Sequence, residues 1–127
     1  MKKATARWVH KAEGDLRAAV ALRQLKPALH SQTCFHCQQA VEKYLKALLQ
    51  ERGVPIQRTH NLVDLLALLV TNDAGLRALT RAMPFLTRFA VEFRYPGENA
   101  TSRQADTALR WANRVRQEAR LRLKLAI

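Results

Sequence analysis

Residues that bend or break a chain are scarce, with four glycines and four prolines in 127 residues, too few to turn a many-stranded sheet domain. Few turns mean few, long elements. Cysteine is rarer still, two in all, which rules out a disulfide-stapled scaffold. No run approaches the roughly 20 uninterrupted apolar residues of a membrane span. The opening Met1-Lys2-Lys3-Ala4-Thr5-Ala6-Arg7 leads into a charged helix rather than an apolar signal core. A cytoplasmic protein without a membrane role is expected. Negative charge is also in short supply, since ten acidic residues face 22 lysines and arginines.

The formal charge of +12 exceeds what solubility needs and costs self-repulsion, so an anionic partner is expected. It is concentrated at the ends, because residues 1–30 and residues 101–127 each carry seven basic and two acidic side chains. The opposing reading is that lysine and arginine merely cover solvated helix faces. With 48% apolar and 25% charged residues the chain is globular, and its length fits one domain spanning 1–127.

Apolar residues recur at steps of three and four, the period of a helix face. Trp8, Ala12, Leu16, Ala19 and Leu22 predict a helix over about 5–25. Cys34, Cys37, Val41, Leu45 and Leu48 predict a second over about 27–52, with Pro27 in its first turn and Gly53 and Pro55 stopping it. A third carries Leu62, Leu65, Leu66 and Leu69, with Thr59 as N-cap, and ends at Thr71-Asn72-Asp73. A fourth is expected over 74–93, kinked or divided by Pro84. Residues 94–99 have the composition of a turn, and a last helix, capped by Thr101 or Ser102, runs to the C-terminus along an Ala105, Ala108, Ala112, Val115 and Ala119 seam. Arg103, Arg110 and Arg114 share its second face, and Arg116, Arg120 and Lys124 a third. No alternation marks a strand. The fold class expected is all-α, an antiparallel up-and-down bundle of four to five helices with a long last helix.

The segment Gln38-Gln39-Ala40-Val41-Glu42-Lys43-Tyr44-Leu45-Lys46-Ala47-Leu48-Leu49 resembles the signature helix of HEPN domains. Thr59-His60-Asn61-Leu62 resembles that family's Thr-His-x-Leu step, Arg94-Tyr95-Pro96 its turn before the last helix, and Trp8 with Ala12 and Asp15-Leu16 its opening helix. The likeness covers nearly the whole chain in order. It implies a helical bundle, commonly a homodimer, that partners a small nucleotidyltransferase, handles nucleotide or RNA, and in some members forms a toxin–antitoxin pair in which the HEPN protein cuts RNA. Those nucleases resemble one another in an Arg followed after four to six residues by His. Arg94 matches the Arg, but Asn99, Ala100 and Thr101 stand where the His would fall. Metal-independent RNA cleavage needs a group that takes a proton from the 2′-hydroxyl and one that returns a proton to the leaving oxygen. Asn, Ala and Thr cannot serve. The reading is therefore a binding module without its own nuclease activity; the rival reading is an endoribonuclease toxin using Arg94 with Tyr95 or His60.

Arg94 offers a planar fork for phosphate and Tyr95 a face for a base. Glu42 is positioned to orient Arg94, with the alternative that it is a surface residue paired with Lys46 four positions on; Arg94 could equally pair with Glu42 or Glu98 while Tyr95 packs. His60, preceded by Arg58, could hold phosphate at a helix start, or cap and pack there. Arg103 and Arg110 could track a phosphate backbone. Cys34-Phe35-His36-Cys37 has half of a zinc motif, with His30 nearby, but both cysteines fall on the apolar stripe, so neither metal nor cofactor is expected. Trp8 and Trp111 are read as core or interface side chains, too isolated for a stacking platform.

Overall fold

The computed structural model describes all 127 residues and is entirely helical. Helices α1 (Lys3–Gln24) and α2 (His30–Glu51) form a long hairpin; α3 (Leu62–Val70) follows, then a 3₁₀ segment (Ala74–Ala82), short α4 (Met83–Thr87), a 3₁₀ turn (Arg88–Ala90) and long α5 (Ser102–Arg122). The bundle is built round α2, which packs on α1, α3 and α5. Thirteen of its 22 residues are buried, among them Tyr44, Leu45, Ala47, Leu48 and Leu49.

The seams of α1 and α5 are lined with small side chains. Ala12 and Ala19 of α1, and Ala105, Ala108 and Ala112 of α5, are fully buried, which lets helix axes approach to the short end of the usual range, about 8 Å. Along α1 the inward residue is Val9 rather than Trp8, whose half-buried ring lies against the core with the Lys46 ammonium 5.6 Å from its centroid.

Several boundaries differ from those expected, each for a local reason. Helix α2 starts at His30, not near Pro27, because the Leu29 amide turns back to the Leu22 carbonyl (3.1 Å) and residues 25–29 are spent as the hairpin connection. Helix α2 ends where the Val54 amide donates back to the Leu49 carbonyl, a closure that needs a left-handed residue between, supplied by Gly53 at φ 71°. The cap of α3 is Asn61, whose side chain accepts from the Val63 amide at 3.0 Å; Thr59 instead accepts from the Asn61 amide and so prepares the cap.

The expected fourth helix over 74–93 is divided into three pieces. Pro84 has no amide to give, so the Met83 amide closes on the Thr80 carbonyl and the chain before the proline winds tighter. At three residues per turn, Leu76, Leu79 and Ala82 eclipse one another and form the buried row. Pro84 then sits in the first turn of α4. Helix α5 opens on a capping box, Thr101 with Gln104, and stops at Arg122 short of the C-terminus, with Lys124 at φ 58° and the Leu125 amide bonded to the Arg120 carbonyl.

Seven of the ten acidic residues form ion pairs, and most of these tie elements together. Glu13 of α1 holds Arg116 (3.1 Å) and Arg120 (2.8 Å) of α5; Asp73 holds Arg52 (2.9 Å) and Arg122 (2.5 Å). Asp15 holds Lys43 and His36 across the hairpin, and Arg23 clasps Asp106 at 2.7 Å. The Tyr44 hydroxyl is fully enclosed beside the Glu13 carboxylate; burial first and that carboxylate second push its ionisation far up. Leu45 is wholly buried at the centre of α2, so Leu45→Ala should lower unfolding free energy by about 2–5 kcal/mol in urea titration.

Candidate nucleotide-binding face

One face of α2 gathers most of the residues singled out in the sequence. Near its N-terminus Ser31, Gln32 and Phe35 line a groove of about 320 Å³ with Ala90, Glu92, Phe93 and Arg94. One helical turn further along, Gln38 and Glu42 meet His60.

The groove is shaped by the chain reversal after the 3₁₀ turn. Phe93 adopts φ 66°, an unusual left-handed conformation for an aromatic residue, costing on the order of 1–3 kcal/mol. It folds back to stack on Phe89 at 5.7 Å. That reversal lets Arg94 Nη2 donate to the Ala90 carbonyl at 2.8 Å, closing the end of the turn while the rest of the guanidinium stays exposed on the groove wall. Pro96 and Gly97 (φ 88°) then form a type II turn, with the Glu98 amide donating to the Tyr95 carbonyl at 3.1 Å. Arg94 contacts neither Glu42 nor Glu98. Tyr95 does not pack; it is 72% exposed.

Glu42 is not a surface residue but 4% exposed. Its Oε1 accepts from Gln38 Nε2 at 3.1 Å and lies 2.8 Å from His60 Nδ1, while Oε2 accepts from Lys46 Nζ at 3.0 Å. Burial alone would raise the carboxyl pKa, but the bonds from His60, Lys46 and Gln38 together outweigh it and hold Glu42 below its ordinary value. The expected Glu42–Lys46 pair is present; the expected orienting contact to Arg94 is replaced by one to His60. His60 neither caps nor packs. With Asn61 taking the cap, its ring projects outward, 73% exposed, fixed by one nitrogen to a buried carboxylate. That geometry restrains the imidazole's orientation while leaving most of it open to a ligand.

The remaining sequence candidates lie elsewhere. Arg58 and Arg103 are exposed, and Arg110, exposed on α5, reaches only Thr107 at 3.1 Å. Of the third face of α5, Arg116 and Arg120 are tied down by Glu13 and are not free for phosphate. Cys34 and Cys37 are fully buried free thiols; burial pushes Cys34 up to about 12 and Cys37 further, so neither is a ready thiolate. No group of three or more His, Cys, Asp or Glu side chains converges. Where a nuclease His would fall, the structure uses the residues otherwise: Ala100 is buried with its amide bonded to Ser31 Oγ at 2.9 Å, and Thr101 caps α5. Sequence reasoning missed the pairing of Glu42 with His60, which a span of 18 residues does not reveal, and the free arginines of the 3₁₀ segment, Arg77 and Arg81, whose helical period was hidden by the tighter winding.

The sequence model of the HEPN domain matches residues 5–122. The chain is a HEPN domain protein. Two solved structures agree: an archaeal HEPN homologue, ST0689, at TM-score 0.76 and 26% identity over 96% of this chain and 98% of that one, and TT1696 from Thermus thermophilus at TM-score 0.80 and 25% identity over 93% and 97%. No curated protein sequence matches the chain. In this HEPN domain the signature helix is α2, and its central carboxylate is the Glu42 that anchors His60. No helix is long and apolar enough to cross a membrane.

Because the folded-state pKa of Glu42 is depressed, its contribution to stability is complete above the ordinary value of 4.5 and is lost as pH falls through the lowered value. Asp73 and Asp106, lowered by their arginines, and Glu13, which burial would raise but the Tyr44 hydroxyl with Arg116 and Arg120 lowers, act in the same direction. Thermal melts should stay flat from about pH 7 to 5 and fall below about pH 4. Glu42→Gln should cost roughly 3–5 kcal/mol at pH 7, since it leaves the Lys46 charge buried and unpaired, and should flatten the acid limb.

Proposed function

We propose that this HEPN protein is a binding module: a homodimer that takes a nucleotide or RNA on the α2 face and acts with a nucleotidyltransferase partner, in the manner of a toxin–antitoxin pair, without cutting RNA itself. The observation that carries the reading is the groove beside Arg94. It offers an exposed guanidinium for phosphate, the edges of Phe35 and Phe93 for a base, and the Ser31 hydroxyl and Gln32 amide for polar contacts, in a volume near the lower end for small-molecule sites. His60, in the loop between α2 and α3 and held to Glu42 of α2, supplies a second anchor. The excess of positive charge supports an anionic ligand. Self-association is supported by an apolar depression on α3 lined by Val63, Leu66, Ala67, Val70 and Met83, in which Val63 is 39% exposed.

Labelled ATP and RNA mixed with the purified protein at low and moderate salt test the reading. Binding to one or both is expected, weakening as salt rises, and Arg94→Ala should weaken it about tenfold or more. Light scattering should give twice the 14.5 kDa chain mass. Failure to bind either ligand, with no nucleotidyltransferase co-purifying from the source cells, would sink it.

The Glu42–His60 contact favours a second reading, a metal-independent endoribonuclease. A carboxylate that fixes one imidazole nitrogen leaves the other to exchange protons with substrate. Arg94 would then stabilise charge on the phosphate, while Tyr95 stands exposed beside it. On this reading expression inhibits growth, and both Arg94→Ala and His60→Ala relieve the inhibition. Undiminished toxicity in both variants would end it.

A further inference from the structure

Because the few carboxylates are committed to ion pairs, the positions of the unpaired cations carry information. The arginines of helix α5 differ in how firmly they are held. Arg116 and Arg120 are drawn onto Glu13, and Arg122 onto Asp73 and Glu118. Arg110 and Arg114 instead border a groove of about 610 Å³ whose far wall carries Arg81, and a second depression sharing Arg81, Trp111 and Arg114 extends it to Arg77. No carboxylate lines either depression. Beside the groove, Glu118 lies 3.6 Å from Arg114 and is shared with Arg122, while Asp106, clasped by Arg23, also feels the charge of Arg110.

Two features separate this groove from an ordinary solvated helix face. Its arginines come from two elements, α5 and the 3₁₀ segment, so the fold itself collects them. Like charges so gathered repel, and a bound anion relieves that repulsion. The groove also holds the half-buried Trp111, with the Arg81 guanidinium carbon 5.7 Å from the ring centroid. Trp111 packs against the core as expected, and the part of its ring left open beside Arg81 offers a base a contact at the centre of the charge. Asn113 and Gln117 add amides that can meet base edges. An acidic polypeptide would use the arginines and leave the indole idle; a duplex, with its bases stacked inside, would do the same. Unstacked bases on a phosphodiester backbone use both.

We propose that the groove between α5 and the 3₁₀ segment is a binding track for single-stranded RNA, in which Arg77, Arg81, Arg110 and Arg114 contact phosphates and the Trp111–Arg81 pair receives a base. The proposal rests on the reading that the protein binds RNA, and assigns that binding to a surface sharing no residue with the Arg94 groove.

The test is fluorescence anisotropy of a 5′-fluorescein-labelled 12-nucleotide oligouridylate against the full-length protein between about 50 and 200 mM salt, the range over which phosphate contacts show their salt dependence. A 12-base-pair RNA duplex and polyglutamate serve as competitors. Arg77→Ala/Arg81→Ala and Arg110→Ala/Arg114→Ala replace exposed side chains, and circular dichroism checks that each variant is folded. Each pair should weaken binding at least tenfold and lower the log–log salt slope by about 1.4, at 0.7 per lost phosphate contact. Trp111→Leu should weaken binding about tenfold with the slope unchanged, and should abolish the quenching of tryptophan fluorescence that the oligomer causes in the parent protein. Parent-like affinity in both arginine pairs, with Arg94→Ala alone abolishing binding, would overturn this assignment and leave the RNA reading standing. No binding by the parent protein overturns this assignment and the RNA half of the reading above, and ATP binding retained in that case leaves the nucleotide half standing. Equal competition by duplex or polyglutamate, with no effect of Trp111→Leu, would reduce the groove to a patch of charge and overturn the single-strand proposal.

Discussion

Everything in the bundle is positioned by the burial of α2. A helix enclosed by neighbours on several sides has little room for polar side chains, and α2 nonetheless buries Gln38, Glu42 and Lys46 along one row. It does so by letting them satisfy one another, with the loop residue His60 as the fourth member. The cluster is thus both a solution to a desolvation problem and a clamp. It fixes the segment between α2 and α3 against the central helix, and Thr87 adds a second attachment by accepting from the Leu62 amide at 3.1 Å. Burying an ion pair of this kind adds little net stability over an apolar replacement; what it gives here is a fixed position for an exposed imidazole.

The two candidate surfaces follow from different physical causes. At the α2 face, the groove exists because the chain reverses sharply at Phe93, so its shape depends on backbone conformation and on the packing of Phe93, stacked on Phe89, which in turn meets Phe85 edge to face. At α5, the groove exists because acids are few and already engaged, so its character depends on what the rest of the molecule has neutralised. Shape distinguishes the first, charge the second, which is why one nucleotide is proposed for the former and a chain of them for the latter.

The architecture was legible in the sequence because the seams are long and regular: the alanine row of α5 and the Cys34-to-Leu48 stripe of α2 are buried as their period requires. Helix ends were less legible where two polar residues compete for one role, as Thr59 and Asn61 do for the α3 cap, and where the hairpin connection takes up residues suited to a helix start, as at Pro27. The stretch over 74–93 read as one kinked helix because steps of three, as from Leu76 to Leu79 to Ala82, stay near one face at a period of 3.6 as well as at 3.0, and the missing amide of Pro84 favours the tighter winding. Among the site residues, the importance of Arg94, Glu42 and His60 could be read from their motifs. Their partners could not, since the Glu42–His60 contact and the Arg81–Trp111 pair join residues far apart in sequence with nothing local to announce them.

The scarcity of acids has a consequence for how this chain tolerates change. Glu13, Asp15 and Asp73 each serve two basic groups at once. Exchange of either Arg116 or Arg120 leaves Glu13 with a remaining partner, whereas exchange of Glu13 strands both cations between α1 and α5. The fold's response to substitution is therefore lopsided: losing one arginine of such a group leaves its carboxylate a partner, whereas losing the carboxylate disturbs two contacts together and leaves two like charges side by side.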